Sequence, residues 1–259
     1  MKSPILVTGG TGTLGGHVVP LLREAGPDVR VLSRRSREPA DGVEYVVGDL
    51  LRNEGVDDAV AGAEVVLHLA GGTKGDDEAA RNLARAAARA GVGHLVMISV
   101  IGADRVPLAW MRSQRDAEQA VVDSGVSWTI LRAAQFHDLV LKVVQSMTKM
   151  PVVPAPGGLR FQPVDARDVA ERLVRLALGE PAGRVPDLAG PEVHPMDELL
   201  RGYLRARGRR RPLLPVRIPG KAGRAYRAGD NLTLDGDTGT RGWAEFLAER
   251  LRPAAGVAA

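Results

Sequence analysis

Residues 8 to 15 read Thr8-Gly9-Gly10-Thr11-Gly12-Thr13-Leu14-Gly15, directly after the apolar run Pro4-Ile5-Leu6-Val7. Glycines at this spacing, between a buried strand and a helix, suit one task. Gly9 permits a tight turn, Gly12 lets backbone come close to a pyrophosphate, and Gly15 lets helix and strand pack closely. The helix start behind them offers free N–H groups and the positive end of a dipole. Leu14, Val18, Leu21 and Leu22 keep a helical spacing, and Gly26 closes it. This is chemistry for holding a dinucleotide, with an unliganded glycine turn as the plainer alternative.

The second apolar strand ends Val31-Leu32-Ser33-Arg34-Arg35. A chain that binds NAD places an acid here for the ribose hydroxyls. Ser33 followed by Arg34 and Arg35 suits a 2′-phosphate instead. NADP(H) is therefore the expected cofactor, against a reading of two exposed loop arginines. The third strand ends Gly48-Asp49-Leu50, where Asp49 can accept from an adenine amino group. The fourth ends Leu69-Ala70-Gly71-Gly72, where small residues let a ligand lie against the backbone.

Other chemistries lack their parts. The 259 residues include no cysteine, which removes disulfides, thiolate nucleophiles and cysteine metal ligands. His17, His68, His94, His137 and His194 show no metal-ligand spacing, so no metal is expected. His68 and His94 fall in strand patterns and read as core or strand-end residues. There is no Gly-x-Ser-x-Gly turn, and the glycine turn lacks the Gly-Lys-Ser/Thr ending of a triphosphate loop. No stretch is long and apolar enough to span a bilayer, and the chain enters a strand at once. The expectation is a soluble cytoplasmic protein with no membrane partner, a monomer or a homodimer, acting on a small molecule.

The formal net charge is +4, and the basic excess gathers at Arg201, Arg205, Arg207, Arg209, Arg210 and Arg211. Clustered arginines neutralise phosphates. Only Tyr203 interleaves this run and no recognition motif accompanies it, so a solvated helix end is favoured over nucleic acid.

The elements that must position these groups alternate. Strands are expected at 4–8, 28–32, 44–47, 64–69, 94–99 and 127–131. Helices are expected at 13–25, 54–61, 76–90, 110–124, 135–149 and 166–178. Gly26, Gly91 and Gly125 stand where helices end. Near-continuous apolar strands such as Val65-Val66-Leu67-His68-Leu69 indicate burial on both faces and a parallel sheet. The fold expected is α/β: a Rossmann doubly wound parallel sheet with helices on both faces and a small C-terminal substrate lobe. The cofactor-binding core spans 1–150. Residues 151–259 form the smaller lobe, interleaved with the end of the core. After Pro151 the regularity fades, with short strands at 160–164 and 186–189 and helices near 196–207 and 241–251.

The set Thr8-Gly9-x-x-Gly12-x-x-Gly15, Asp49-Leu50, Ala70-Gly71, Ile98-Ser99-Val100-Ile101-Gly102 and Leu131-Arg132-x-x-Gln135-Phe136 resembles atypical short-chain dehydrogenase/reductases. It is most similar to their bacterial NmrA-like, NAD(P)-binding branch, related to nucleotide-sugar epimerases. Gln162-Pro163-Val164-Asp165-x-x-Asp168-Val169-Ala170 fits the same branch, as does the Arg-rich segment 205–219. The resemblance implies that Gly9, Thr11, Gly12, Thr13, Leu14 and Gly15 hold the pyrophosphate and that Arg34, beside Ser33 and Arg35, meets the adenosine phosphate. It implies that Asp49 and Leu50 flank adenine, that Ala70 and Gly71 line the ribose, and that Ser99 sits beside the nicotinamide. The backbone of Ala133, Ala134, Gln135 and Phe136 would face the nicotinamide amide.

One departure stands out. Catalytic members of that superfamily carry Tyr-x-x-x-Lys on the helix after the fifth strand, and the matching segment is Trp110-Met111-Arg112-Ser113-Gln114. A phenol of lowered pKa exchanges the proton that accompanies hydride transfer. An indole N–H only donates. Ser99 and His137 remain as candidate catalytic groups, Ser99 for the oxyanion and His137 for the proton. Trp110, Gln114, Gln135 and Phe136 are candidate substrate contacts. For His137 the alternative is a structural cap, and for Trp110 it is aromatic packing. Three functions stay open: an NADPH-dependent reductase of a small carbonyl or conjugated substrate, an NADP(H)-binding sensor without turnover, and a non-redox isomerase or cyclase.

Overall fold

The structure, a computed structural model, describes residues 3–39, 42–72 and 74–251. Six strands make its centre: β1 (Ile5–Thr8), β2 (Val29–Ser33), β3 (Val43–Val47), β4 (Val65–His68), β5 (His94–Val100) and β6 (Trp128–Ala133). They lie in the order β3-β2-β1-β4-β5-β6, every pairing parallel. The chain builds outward from β1 to β3, then restarts at β4 on the other side of β1. The direction of winding therefore switches between β1 and β4, and such switches open a crevice at the carboxyl ends of the strands. β9 (Gly183–Arg184) and β10 (Leu188–Ala189) both pair with β6, and β13 (Asp237–Thr238) pairs with β10 at the sheet edge.

Alternating side chains of each strand feed two cores. Val7, Val31 and Leu67 pack with Val18 and Leu22 of α1 (Gly15–Ala25) and Leu173 of α6 (Ala166–Ala177). Leu6, Val66 and Leu95 pack on the other face. Their partners include Val56 of α2 (Val56–Val60), Leu83 of α3 (Asp76–Ala90) and Val121 of α4 (Ala109–Val122). Both faces of a fully parallel sheet are thus covered by helices, as the apolar strand pattern requires.

A third core lies off the sheet. Leu141 and Val144 of α5 (His137–Met147) meet Val153 of β7 (Val153–Pro156), Leu199 of α7 (Met196–Ala206) and Phe246 of α9 (Trp243–Arg250). β12 (Leu213–Val216) runs parallel to β7, and β8 (Arg160–Phe161) runs antiparallel to β11 (His194–Pro195). Residues beyond 150 thus join α5 in this core, and they also supply β9, β10 and β13 to the main sheet and α6 to one of its faces. The segment expected as a strand at 160–164 pairs over two residues only. Six elements lie outside the sequence reading: the two-residue strands β9, β11 and β13, and also β7, β12 and α8 (Gly220–Ala228). Pro154, Pro156 and Pro215 lack ladder N–H groups, which makes β7 and β12 read as turns. α8 carries Gly220 and Gly223, and the latter is there because a Cβ would stand 2.2 Å from the Ile218 carbonyl.

Candidate cofactor and substrate site

The glycine turn is built by close approach. Gly9 has φ +71°, and a Cβ on it would stand 2.6 Å from the Ala70 nitrogen; a Cβ on Gly15 would stand 2.4 Å from Gly10 Cα. Neither position admits a side chain. Gly12 differs: a Cβ there meets only the Gly9 carbonyl, at 3.3 Å, and the outer side is open. Its bare backbone faces the crevice for something to approach. The Gly12 N–H donates to the Gly9 carbonyl, 3.0 Å. Among the described residues the N–H groups of Thr13 and Leu14, just ahead of α1, have no acceptor. Free amides at a helix start suit an anion. Thr13 is exposed, while Leu14 turns its side chain into the core.

Beneath the turn, Thr8 Oγ1 and His68 Nδ1 are 2.7 Å apart and buried, joining the ends of β1 and β4. Burial pushes the His68 pKa down to about 4, so its ring is neutral at ordinary pH. The Ala70 N–H also reaches Thr8 Oγ1, at 3.4 Å.

The crevice collects the ends of four strands. Gly9, Thr11 and Gly12 follow β1, Ser33 and Arg34 end β2, Asp49 and Leu50 follow β3, and Ala70 and Gly71 follow β4. It encloses about 370 Å³, a volume that suits the nucleoside half of a dinucleotide. Ser33 shapes its mouth: its hydroxyl donates to the Arg35 carbonyl and accepts the Arg35 N–H, at 2.9 and 3.2 Å. That turn leaves Arg34 lining the crevice and Arg35 exposed outside its wall. Asp49 Oδ1 accepts the N–H groups of Leu51 and Arg52, which shapes the turn at the adenine side. Lys74 and Asp76 complete the wall. Neither is anticipated from the sequence, because Asp76-Asp77-Glu78 looks like the acidic first turn that any helix favours.

Asp76 is where the altered dyad positions converge. Gln114, in place of lysine, donates its amide to Asp76 Oδ2. Trp110, in place of tyrosine, donates its indole N–H to the Gly72 carbonyl, 3.2 Å, and the Gly72 N–H donates to Asp76 Oδ1, 2.7 Å. Burial pushes the Asp76 carboxyl above its ordinary pKa, against the hydrogen bonds from Gly72, Trp110 and Gln114. Ser113 adds a bond from α4 to Asp77. The start of α3 is thereby tied to α4 and to the loop after β4.

Other expected residues stand elsewhere. Ser99 does not open onto the crevice: its hydroxyl donates to buried Glu118. Glu118 also takes two bonds from Arg132, each 2.7 Å, and Arg132 reaches Asp104 at 2.8 Å. Burial disfavours the Arg132 charge, yet Glu118 and Asp104 hold its pKa above the ordinary value. Ser99 is a member of a buried ion network. The alternation of β5 explains this, since Ser99 falls on the same face as Met97, toward α4.

His137 is also withdrawn. It has no exposed surface and lies between Trp243 and Phe246, ring centroids 5.7 and 5.0 Å away. Its Nδ1 is 3.8 Å from Asp165. Burial would raise the Asp165 pKa, but Arg167 and then His137 hold it far below the ordinary value. A side chain so enclosed cannot hand a proton to a ligand in the crevice, and His137 takes its structural reading. Ala133 and Ala134 are buried, with the Ala133 carbonyl accepting from Ile101 and the Ala134 N–H donating to Leu188. Phe136 packs against the core and bridges to Val164. Gln135 is different: its side-chain amide is buried with neither atom hydrogen-bonded among the described residues. An unpaired buried amide beside the sheet's carboxyl end marks a place where a polar partner belongs.

A family model described as NAD(P)H-binding matches residues 9–178, from the glycine turn to the end of α6. The chain belongs to the NAD(P)H-binding family. This agrees with the resemblance to atypical short-chain dehydrogenase/reductases carried by its motifs. The (4-alkanoyl-5-oxo-2,5-dihydrofuran-3-yl)methyl phosphate reductase of Streptomyces griseus is 38% identical over 196 residues, covering 73% of this chain and 68% of that one. The NAD(P)H azoreductase of Xenophilus azovorans is 32% identical, covering 79% and 74%. The triphenylmethane reductase of Citrobacter sp., solved with NADP(H), superposes with a TM-score of 0.81 at 20% identity, over 95% of this chain and 99% of that one. The residues of this NAD(P)H-binding protein fit the cofactor: an open backbone at Gly12 and a cation at Arg34 line one crevice, and the free N–H groups of Thr13 and Leu14 follow Gly12 in the chain.

Proposed function

We propose that the protein is an NADPH-dependent reductase of a small conjugated acceptor, such as an unsaturated lactone or a quinone, and that it works without a tyrosine-lysine pair. The observation that carries this is the state of positions 110 and 114. An indole bound to Gly72 and an amide bound to Asp76 hold the cofactor crevice in shape and supply no titrating phenol. The bound cofactor supplies a hydride. Gly12, Thr13 and Leu14 would hold its phosphates, and Arg34 would favour the 2′-phosphate form.

A ketone needs an acid at its oxygen as the hydride arrives. A conjugated acceptor spreads the new charge as an enolate or phenolate, which water protonates afterwards. The residues around the crevice match the second demand, since Ser99 and His137 are both engaged away from it. Gln135, whose buried side-chain amide has no hydrogen-bond partner among the described residues, would donate to such an acceptor. The Streptomyces relative is named for a dihydrofuranone of this conjugated kind.

The test is NADPH oxidation across unsaturated lactones, quinones and simple ketones. Turnover of the conjugated compounds with simple ketones inert supports the proposal. Equal turnover of simple ketones overturns it. Tight NADPH binding with no turnover of any compound favours the sensor reading, for which the missing acid is also the motive.

A further inference from the structure

Charge in this chain is divided between two regions. Residues 139–164 and 199–229 contain no acidic residue. They hold 13 of the 35 basic residues, so the rest, with 22 basic against 31 acidic, carries a formal −9. The two segments build the outside of the third core: α5 and β7 come from the first, the end of α7, β12 and α8 from the second. Apart from Arg201, which meets Asp197, none of these cations pairs with a carboxylate among the described residues.

The same region exposes aliphatic side chains. Of the 13 large hydrophobic residues left exposed among the described residues, six lie here: Leu139, Val143, Met150, Val152, Leu214 and Ile218. Leu139 and Val143 are four apart on the outer side of α5. Met150 is joined to the basic run by the Arg211 guanidinium, which donates to its carbonyl at 3.1 Å. Leu214, 55% exposed, pairs with Pro154, two residues after Val152 and on the same face of the two-stranded sheet.

We infer that this lobe rests on the surface of an anionic lipid bilayer, with its arginines at the headgroups and Leu214, Val152 and Val143 entering the interface. Aliphatic residues interleaved with unpaired cations are what such a surface recognises. A nucleic acid would use the cations but would gain nothing from leucine and valine, and the patch exposes no aromatic ring for bases to stack on. A second copy of the chain is disfavoured because a two-fold contact would set the acid-free face against itself. Among the described residues no helix is long and apolar enough to cross a membrane. The expectation of no membrane partner rests on that spanning criterion, which says nothing of lying on a surface.

The experiment is flotation of the whole protein with vesicles of phosphatidylcholine alone or mixed with phosphatidylglycerol, at low and high salt. The protein floats with the anionic vesicles only, less so in high salt. Leu214→Glu and Val143→Glu, on separate elements, each lower binding by about tenfold or more. Both keep the NADPH affinity of the wild type, which shows that they fold. No flotation with anionic vesicles overturns the inference. So does wild-type flotation of both variants, or tighter binding to a DNA duplex than to the vesicles.

Discussion

The side-chain amide of Gln114 donates to the buried carboxylate of Asp76, joining α4 to the first turn of α3 across the wall of the cofactor crevice. At the position where the short-chain dehydrogenase/reductase resemblance would put a lysine, this chain has a neutral side chain serving a carboxylate. Burial raises the Asp76 pKa above 3.8, so the folded state binds a proton more readily than the unfolded chain does. The stability from that proton is fully present below 3.8 and is lost as pH rises through the folded pKa. Asp76→Asn removes the dependence. Urea unfolding across this range should show the variant gaining on the wild type as pH rises. A difference that stays constant with pH would rule out a perturbed Asp76.

The cofactor site makes a prediction about discrimination. Gly12→Val places a branched side chain where the backbone is open to the crevice, and should abolish NADPH binding while leaving thermal unfolding nearly unchanged. Arg34→Ala removes a charge-assisted contact of about 1.5–3 kcal/mol, so NADPH affinity should fall by about tenfold or more with NADH affinity kept. Fluorescence titration with both nucleotides reads the outcome. Equal losses for the two would remove Arg34 from the 2′-phosphate.

Ser99 separates structure from catalysis. Its hydroxyl is engaged by Glu118, so Ser99→Ala should cost stability of about 1 kcal/mol and leave kcat within about twofold. Glu118→Ala strands Arg132 in the interior and should cost about 3 kcal/mol or more. Denaturant titration and steady-state rates check both. A kcat lowered a hundredfold by Ser99→Ala would return that residue to the reaction.

A further prediction concerns acid. His68 is neutral in the fold, with a pKa of about 4 against 6.5 unfolded. The stability gained by burying it uncharged is present above 6.5 and is lost as pH falls from 6.5 toward 4, amounting to ~3 kcal/mol at most. His68→Gln should flatten that part of the pH–stability curve. Because the ring holds Thr8 beneath the glycine turn, wild-type NADPH affinity should hold through most of that interval and weaken only as pH falls through about 4, where the folded ring itself takes up a proton. An affinity independent of pH there would separate the pair from the turn.

The altered helix makes the last prediction. Trp110→Tyr with Gln114→Lys restores a phenol and a lysine at i and i+4, and breaks the bonds to Gly72 and Asp76. The double variant should gain simple-ketone reduction and lose stability. If it gains none, the phenol does not reach the acceptor from position 110.

The parallel core was legible because two-sided burial leaves a plain mark: runs such as Val65-Val66-Leu67 and glycines where helices stop. That the glycine turn, Arg34, Asp49 and Ala70 line one crevice was legible for a related reason, since all of them stand at the carboxyl ends of strands that the apolar runs mark. Ser99 and His137 were not placed by sequence. Which face of β5 a serine occupies is a matter of register, and the enclosure of His137 depends on Trp243 and Phe246, more than a hundred residues away. Asp76 was hidden by its acidic neighbours at a helix start. β7 and β12 were hidden by prolines that edge strands tolerate.

The sheet is finished by its most distant piece of chain. β13 pairs beside β10 through the Asp237 N–H to the Asp187 carbonyl and the Gly239 N–H to the Ala189 carbonyl, each 2.8 Å. Asp168 anchors the following residues through the Thr240 N–H at 2.9 Å and through the Arg241 guanidinium. During synthesis, everything from β1 to β10 is therefore made before its outer edge is sealed. A nascent chain halted before residue 237 displays an open ladder at Leu188 and Ala189, where another chain could add. The seal is short and carries Asp237, which is held by Arg172 at 3.1 Å, so the completed edge offers little for a neighbouring strand to extend.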